Sequence, residues 1–271
     1  NTNVLFTNNA LIKVGSGNVT NMFYINSGQW QCIHNTFVNV GEGQISNIAR
    51  VENTSTNLNF SNNILTQLNS NCTCAYLVYF NVSGSYTLDY NNYYNTNGNI
   101  AYQGTTYSTL SGWKTAYPQN NQHSQNANPL FIDSMNFVKP TYWASIMCNR
   151  NDYVKSDILG NPRAKATFMG CYEPLFTNDA GLTTFISPTA TATAGDTTDI
   201  IVELVNYGTN TLNSITLYYS INGVTQSPIL LSNLGLNKHQ DTSILIGFFI
   251  PILNNTTQLK VWCSNPNSTN D

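Results

Sequence analysis

FSNNILT, residues 60–66, decides the fold, because the chain writes it more than once. FTNNALI at 6–12 is nearly the same phrase, CIHNTFV at 32–38 is a looser version, and DYNNYYN fills 89–95. Aligned on the second Asn, the phrases place Asn9, Asn35, Asn63 and Asn92 at spacings of 26, 28 and 29 residues. A second phrase keeps the same rhythm: MFYIN ends at Asn26, ARVEN at Asn53 and LVYFN at Asn81, with spacings of 27 and 28. Two tracks with one period mark a repeat architecture, in which each unit buries its apolar face against the next.

The recurring segments are short, β-branched and aromatic, and are separated by Asn, Gly and Ser, which is the writing of strands and turns. No 3.6-residue apolar period runs through a repeat, so stacked helices are excluded. The leucine-rich pattern is absent as well. The reading is an all-β chain that opens with a right-handed parallel β-helix, a solenoid whose strands stack ~4.8 Å apart. Equivalent positions then lie above one another, and identical amides hydrogen-bond along the stack. This predicts a structural ladder of Asn9, Asn35, Asn63 and Asn92. Ala10, Thr36, Ile64 and Tyr93 would stack beside it. His34 falls in register with Asn8, Asn62 and Asn91, and reads as a ladder substitute rather than a catalytic base. Segments 13–21, 40–44 and 67–74 should be loops between the first and second strand tracks. YSTLSGWKTAY (107–117) breaks the rhythm. Ser108 or Thr109 can cap a short helix there, Leu110 and Trp113 share a face, and Pro118 ends it.

Charged residues are only 8% of the chain, against a usual level of roughly a quarter. The net charge is −3 and no Lys/Arg cluster exists, which argues against a nucleic-acid partner. The longest apolar run, ILIGFFIPIL at 244–253, is shorter than the ~18 residues of a membrane span and is broken by Pro251. No signal-peptide pattern opens the chain, and its first residues already lie inside a repeat. The expectation is a segment of a longer polypeptide, with further modules of the same chain on both sides.

Chemistry has little to work with. Residues 1–130 hold three acids (Glu42, Glu52, Asp89) and three bases (Lys13, Arg50, Lys114). A glycoside hydrolase needs converging carboxylates, and a lyase needs a cation or a Ca²⁺ cluster beside a base. Arg50 and Glu52 share a strand face, so an ordinary ion pair explains them. Asp196, Asp199 and Glu203 lack EF-hand spacing and read as strand-end charges. No catalytic residue, metal site or cofactor is expected. Of the six cysteines, Cys72 and Cys74 lack the further ligands of a zinc site. They are either a strained local disulfide or two free loop thiols.

DYNNYYNTNG (89–98), STLSGWKTAYPQNNQHSQNANPLFID (108–133) and DILGNPRAKATFMGCYEP (157–174) carry a resemblance. Its markers are Asn128-Pro129-Leu130-Phe131, Gly160-Asn161-Pro162-Arg163 and Gly170-Cys171-Tyr172-Glu173. Together they resemble the C-terminal part of secreted bacterial right-handed parallel β-helix repeat proteins with a choice-of-anchor domain. WASIMCNRND (143–152) departs from the SPAIDAG-like segment usual there. The resemblance implies that Cys148 and Cys171 occupy small-residue positions of a closing coil, as a disulfide or as two packed thiols. It sets a first domain at 1–175, a β-helix with a C-terminal capping region.

Residues 176–271 change style. Strands are expected at 199–206 and 213–221, with Asn222-Gly223 as a tight hairpin. This resembles the immunoglobulin-like β-sandwich of adhesion-related modules in large surface proteins of Bacteroidota, with the last strand expected beyond 271. Cys263 reads as a buried core residue. By resemblance the whole is a non-catalytic structural or adhesive segment of a very large extracellular, cell-surface protein or appendage. Its role would be attachment, cell contact or prey capture, with homo-oligomers, glycans or another cell surface as partners. The alternative is a carbohydrate-binding or polysaccharide-degrading β-helix protein. Tyrosine rings could serve either sugar stacking or strand packing.

Overall fold

The computed structural model describes residues 3–53, 57–133, 137–140, 144–174, 176–189 and 191–269. The chain divides between Glu173 and Pro174 into two compact units.

The first unit is built from rungs of three strands. The first rung holds β1 (Asn3–Thr7), β2 (Ala10–Lys13) and β3 (Val19–Ile25). The second holds β4 (Gln29–Ile33), β5 (Thr36–Asn39) and β6 (Ile45–Asn53). The third holds β7 (Leu58–Ser61), β8 (Ile64–Gln67) and β9 (Cys74–Val82). The fourth holds β10 (Tyr86–Asp89), β11 (Asn92–Asn95) and β12 (Gly98–Gln103). First strands pair only with first strands, second with second and third with third, all parallel. Three sheets result, β1-β4-β7-β10, β2-β5-β8-β11 and β3-β6-β9-β12, the last extended by antiparallel β13 (Thr105–Tyr107). The first unit is therefore a β-solenoid, and its core is the inward face of all three sheets. Phe37, Leu65 and Tyr93 stack there with Phe60, Phe80 and Leu77.

The strand register corrects two of the alignments. Asn92 pairs with Ile64, and Tyr93 pairs with Leu65. Asn91, not Asn92, therefore continues the line of Asn9, Asn35 and Asn63. Tyr90, not Asn91, shares the place of Asn8, His34 and Asn62. The cause is the two-residue pleat: a slip of one residue would turn Tyr93 out of the core and Asn92 into it. In the second track Val51 pairs with Phe80 and Glu52 with Asn81, so Glu52 rather than Asn53 matches Asn81.

Helix α1 (Leu110–Ala116) follows as the sequence suggests. Thr109 is its N-cap and accepts a hydrogen bond from the Gly112 backbone N–H at 3.1 Å. Trp113 is fully buried, donates from Nε1 to Gln103 at 2.7 Å, and packs on Tyr93 of the last rung. Thr109→Ala is expected to cost about 1 kcal/mol in a denaturation experiment. An unchanged midpoint would mean that the helix adds nothing to the solenoid.

Two short hairpins complete the unit: β14 (Phe131–Asp133) with β15 (Phe137–Pro140), and β16 (Met147–Asn149) with β17 (Ala166–Phe168). The second hairpin does not close an end of the solenoid, as a capping coil would. It lies along the side, with Ile146, Cys148 and Met169 packed on the outward-facing Ile64. Gly170 takes φ +89°, and a Cβ there would stand 2.7 Å from both Ile64 and Thr36. Only glycine allows so close an approach.

The second unit contains β18 (Ala180–Ser187), β19 (Thr198–Asn206), β20 (Ile215–Ile221), β21 (Val224–Thr225), β22 (Ile229–Leu231), β23 (Asp241–Phe249) and β24 (Leu259–Ser264). β18, β19 and β23 form one antiparallel sheet, and β20 pairs with β21, β22 and β24 in another. Ile200, Val202 and Leu204 of the first sheet share an apolar cluster with Ile215 and Leu217 of the second. Asn222 and Gly223 both have positive φ, as the hairpin signal requires. Cys263 is half-buried at the edge of this cluster rather than fully inside it.

Candidate functional site

The repeated Asn forms a continuous column. The Asn9 backbone N–H donates to Asn35 Oδ1 at 2.9 Å, that of Asn35 to Asn63 Oδ1 at 2.9 Å, and that of Asn63 to Asn91 Oδ1 at 3.0 Å. Each side-chain Nδ2 donates to the same oxygen, at 3.0, 3.0 and 3.1 Å. The same Nδ2 groups of Asn35, Asn63 and Asn91 also satisfy the carbonyls of Phe6, Cys32 and Phe60, each at 2.9 Å. Ser124 ends the column by accepting from the Asn91 N–H at 3.0 Å. An amide has two donors and a two-lone-pair acceptor, which is why Asn can be both bottom and top of each step. Asn92 instead exchanges two hydrogen bonds with Ala127, each at 2.9 Å.

Beside the column sits a left-handed turn position: Asn8, His34, Asn62 and Tyr90 have φ of +55°, +57°, +59° and +52°. Asn tolerates this region best, so His34 stands in a place written for Asn. It is buried, and its Nε2 lies 2.9 Å from Asn62 Nδ2. Arg163 reaches this row from the side hairpin. It donates to the carbonyls of Ser156, Phe168 and Gly170 at 3.3, 3.2 and 2.9 Å, and to Asn8 Oδ1 at 3.0 Å. It also pairs closely with Glu173, which accepts from the Thr167 hydroxyl. The Arg163 side chain is fully buried. Asp157 closes the cluster by accepting from the backbone N–H groups of Leu159, Asn161 and Glu173.

Glu173 and His34 of this cluster pull in opposite directions. Burial first pushes the Glu173 carboxyl up to about 7 from its ordinary 4.5, while the Arg163 charge draws it back. A carboxyl raised in the fold stabilises the fold fully below about 4.5, and that contribution is lost as pH rises through about 7. Burial first, then the Arg163 charge, hold His34 well below its ordinary 6.5. Its contribution is therefore present above 6.5 and lost as pH falls. His34→Asn is expected to narrow the stability gap to wild type, or reverse it, progressively as pH drops below 6.5. A gap independent of pH would show that His34 does not carry this slope.

The remaining acids each have a local setting. Arg50 and Glu52 form a 2.7 Å ion pair, and Asp89 pairs with His123 at 2.7 Å. Glu42 lies in the turn at 40–44, where its carbonyl accepts from Lys13. Asp196 and Asp199 are exposed, and Glu203 accepts from the Thr183 hydroxyl. None of the six cysteines forms a disulfide. Cys72, Cys74, Cys148 and Cys171 are buried, and burial pushes Cys74 up to about 12 and Cys171 up to about 11. Cys74, Cys148 and Cys171 are packing residues with little thiolate at neutral pH. Among the described residues, no three His, Cys, Asp or Glu side chains are placed to hold a metal ion.

Two outward faces carry aligned rows of side chains. On the third sheet, Tyr24, Arg50, Tyr79 and Tyr102 occupy one register line. Tyr79 and Tyr102 stack at 4.6 Å with an interplanar angle of 4°, and the Arg50 guanidinium lies 4.8 Å from the Tyr79 ring. These rings face outward, whereas Tyr93 is a core residue. On the first sheet, a groove of about 680 Å³ runs across all four strands. One row of its floor is Asn3, Gln29, Asn57 and Ser85, and the next is Leu5, Gln31, Asn59 and Thr87. Tyr153 of the side segment lines it as well. The repeat phrases do not point to this groove. Its signal lies in the two outward positions at the start of each first strand, which are polar and neutral in every rung but the first, where Leu5 stands.

Compared with known proteins, the chain matches no family model, no curated protein and no solved structure at a significant level. Its solenoid architecture rests on the strand register.

Proposed function

We propose that the chain is a non-catalytic structural and adhesive segment of a very large extracellular surface protein, in which the solenoid is a stiff spacer and the second unit an immunoglobulin-like module. The observation that carries this reading is the amide column. The amides of the column tie each rung to the next, and stability in such a body comes from neighbouring repeats. Two antiparallel sheets around one apolar cluster support the immunoglobulin-like reading of the second unit. In this reading further modules of the same chain flank it, and a second copy, glycans or another cell surface are what it meets.

The test is the mass of the intact polypeptide in source cells, combined with labelling by a membrane-impermeant amine reagent. A product far longer than these residues, labelled from outside, supports the proposal. A cytosolic product of about 30.0 kDa would overturn it. A second reading, carbohydrate binding, is favoured by the neutral groove on the first sheet and the outward tyrosine line on the third.

A further inference from the structure

We propose that the groove on the first sheet binds a single strand of a neutral glycan. The inference deepens the adhesive reading above and rests on it for its biological sense.

The floor of the groove is the face of a sheet whose inner strands β4 and β7 are paired on both sides. The edge strands β1 and β10 stand at the two ends of the groove, so an extended peptide lying on its floor would meet side chains and could not bind there by adding a strand. Recognition must come from side chains. Those side chains are amides and hydroxyls, with Leu5 and Tyr153 as apolar contacts, and none is charged. A phosphate or carboxylate ligand would find no cation there, and would bring only acceptors. Gln31 Oε1 and Asn59 Oδ1 are buried acceptors that receive no hydrogen bond. They sit in adjacent rungs of one row. Buried acceptors of this kind call for a donor.

A sugar hydroxyl both donates and accepts, which matches an amide that does the same. Polar rows recur at the ~4.8 Å strand spacing. A ligand with hydroxyls repeated along its length can therefore meet the same pair of side chains in successive rungs. The two rows are about 7 Å apart, the distance between alternate residues of a strand, so the floor has the width of one glycan strand. Tyr153 is 68% exposed and offers a ring face to the C–H side of a sugar.

The experiment uses the full chain and a panel of neutral hexasaccharides of glucose, mannose, galactose and N-acetylglucosamine, with oligogalacturonate as the charged comparison, by titration calorimetry. At least one neutral hexasaccharide is expected to bind, with oligogalacturonate at least tenfold weaker. Asn59→Ala and Tyr153→Ala are each expected to weaken that binding at least tenfold, with an unchanged circular dichroism spectrum. Tyr24→Ala, on the third sheet, should leave it unchanged. No binding of any neutral probe overturns the proposal, as does binding that survives both groove variants or that Tyr24→Ala abolishes. Asn59 and Tyr153 point away from the core, so a variant that fails to fold contradicts the assignment of these residues to a free surface. Failure here leaves the spacer reading standing, because that reading is decided by polypeptide length and surface labelling.

Discussion

Asn63→Ala is expected to destabilise the solenoid by about 2–5 kcal/mol, read as a fall in the urea midpoint of the first unit. Asn63 Oδ1 accepts from both the backbone N–H and the side-chain Nδ2 of Asn35, and its own Nδ2 donates to Cys32 O and Asn91 Oδ1. Alanine removes all four bonds. The Asn35 N–H and the Cys32 carbonyl are then stranded in a fully buried position that water does not reach. Each stranded group costs about 1–3 kcal/mol, far more than the net worth of one hydrogen bond in a folded chain. The comparison is Asn59→Ala in the same rung, which removes an outward acceptor that receives no hydrogen bond and should not lower the urea midpoint. If both variants unfold at the same urea concentration, the column does not hold the rungs together.

Arg163→Met is expected to cost about 3–5 kcal/mol, because it leaves Glu173 buried without its cation. The loss falls on the packing of the side hairpin against the solenoid. Arg163 ties Asn8 to Ser156, Phe168, Gly170 and Glu173 in one cluster. The pH dependence gives a separate readout. Without Arg163, Glu173 stays protonated to higher pH, so the cost of the variant should be smaller at pH below about 4.5 than above about 7. Arg163→Met/Glu173→Leu should recover part of the loss, since an apolar pair of similar volume is often as stable as a buried ion pair. A double variant no better than Arg163→Met would mean that the arginine acts through its carbonyl contacts alone.

Most of the solenoid is legible in the repeat itself. Short β-branched strands and recurrent Asn name the architecture, because a parallel stack is the arrangement in which one amide serves two neighbours. The capped helix at Leu110–Ala116 is equally legible, since Thr109, Trp113 and Pro118 each act locally. The final rung reads one residue out of place in the sequence, because Asn91 and Asn92 are the same residue type and only the pleat distinguishes them. The inward face of Tyr93, set by packing on Leu65 and Phe37, fixes which Asn joins the column. The side hairpin is harder still. Arg163 and Glu173 stand in two of the three motifs that carry the resemblance, yet nothing in their spacing says that they pair under the turn at Asn8 and His34. The groove on the first sheet needs the register too. Gln31 and Asn59 become neighbours only when β4 and β7 are set side by side.

Hydrogen exchange of the backbone amides of Asn35, Asn63 and Asn91 tests the stacked column most directly. Each is donated to the side chain one step further along the chain, the last to Ser124. The expected result is that all three exchange together and only through global unfolding of the first unit, with Asn63→Ala releasing Asn35 first. Fast, independent exchange at these three positions would contradict a stacked amide column, and with it the reading of this chain as a stiff spacer.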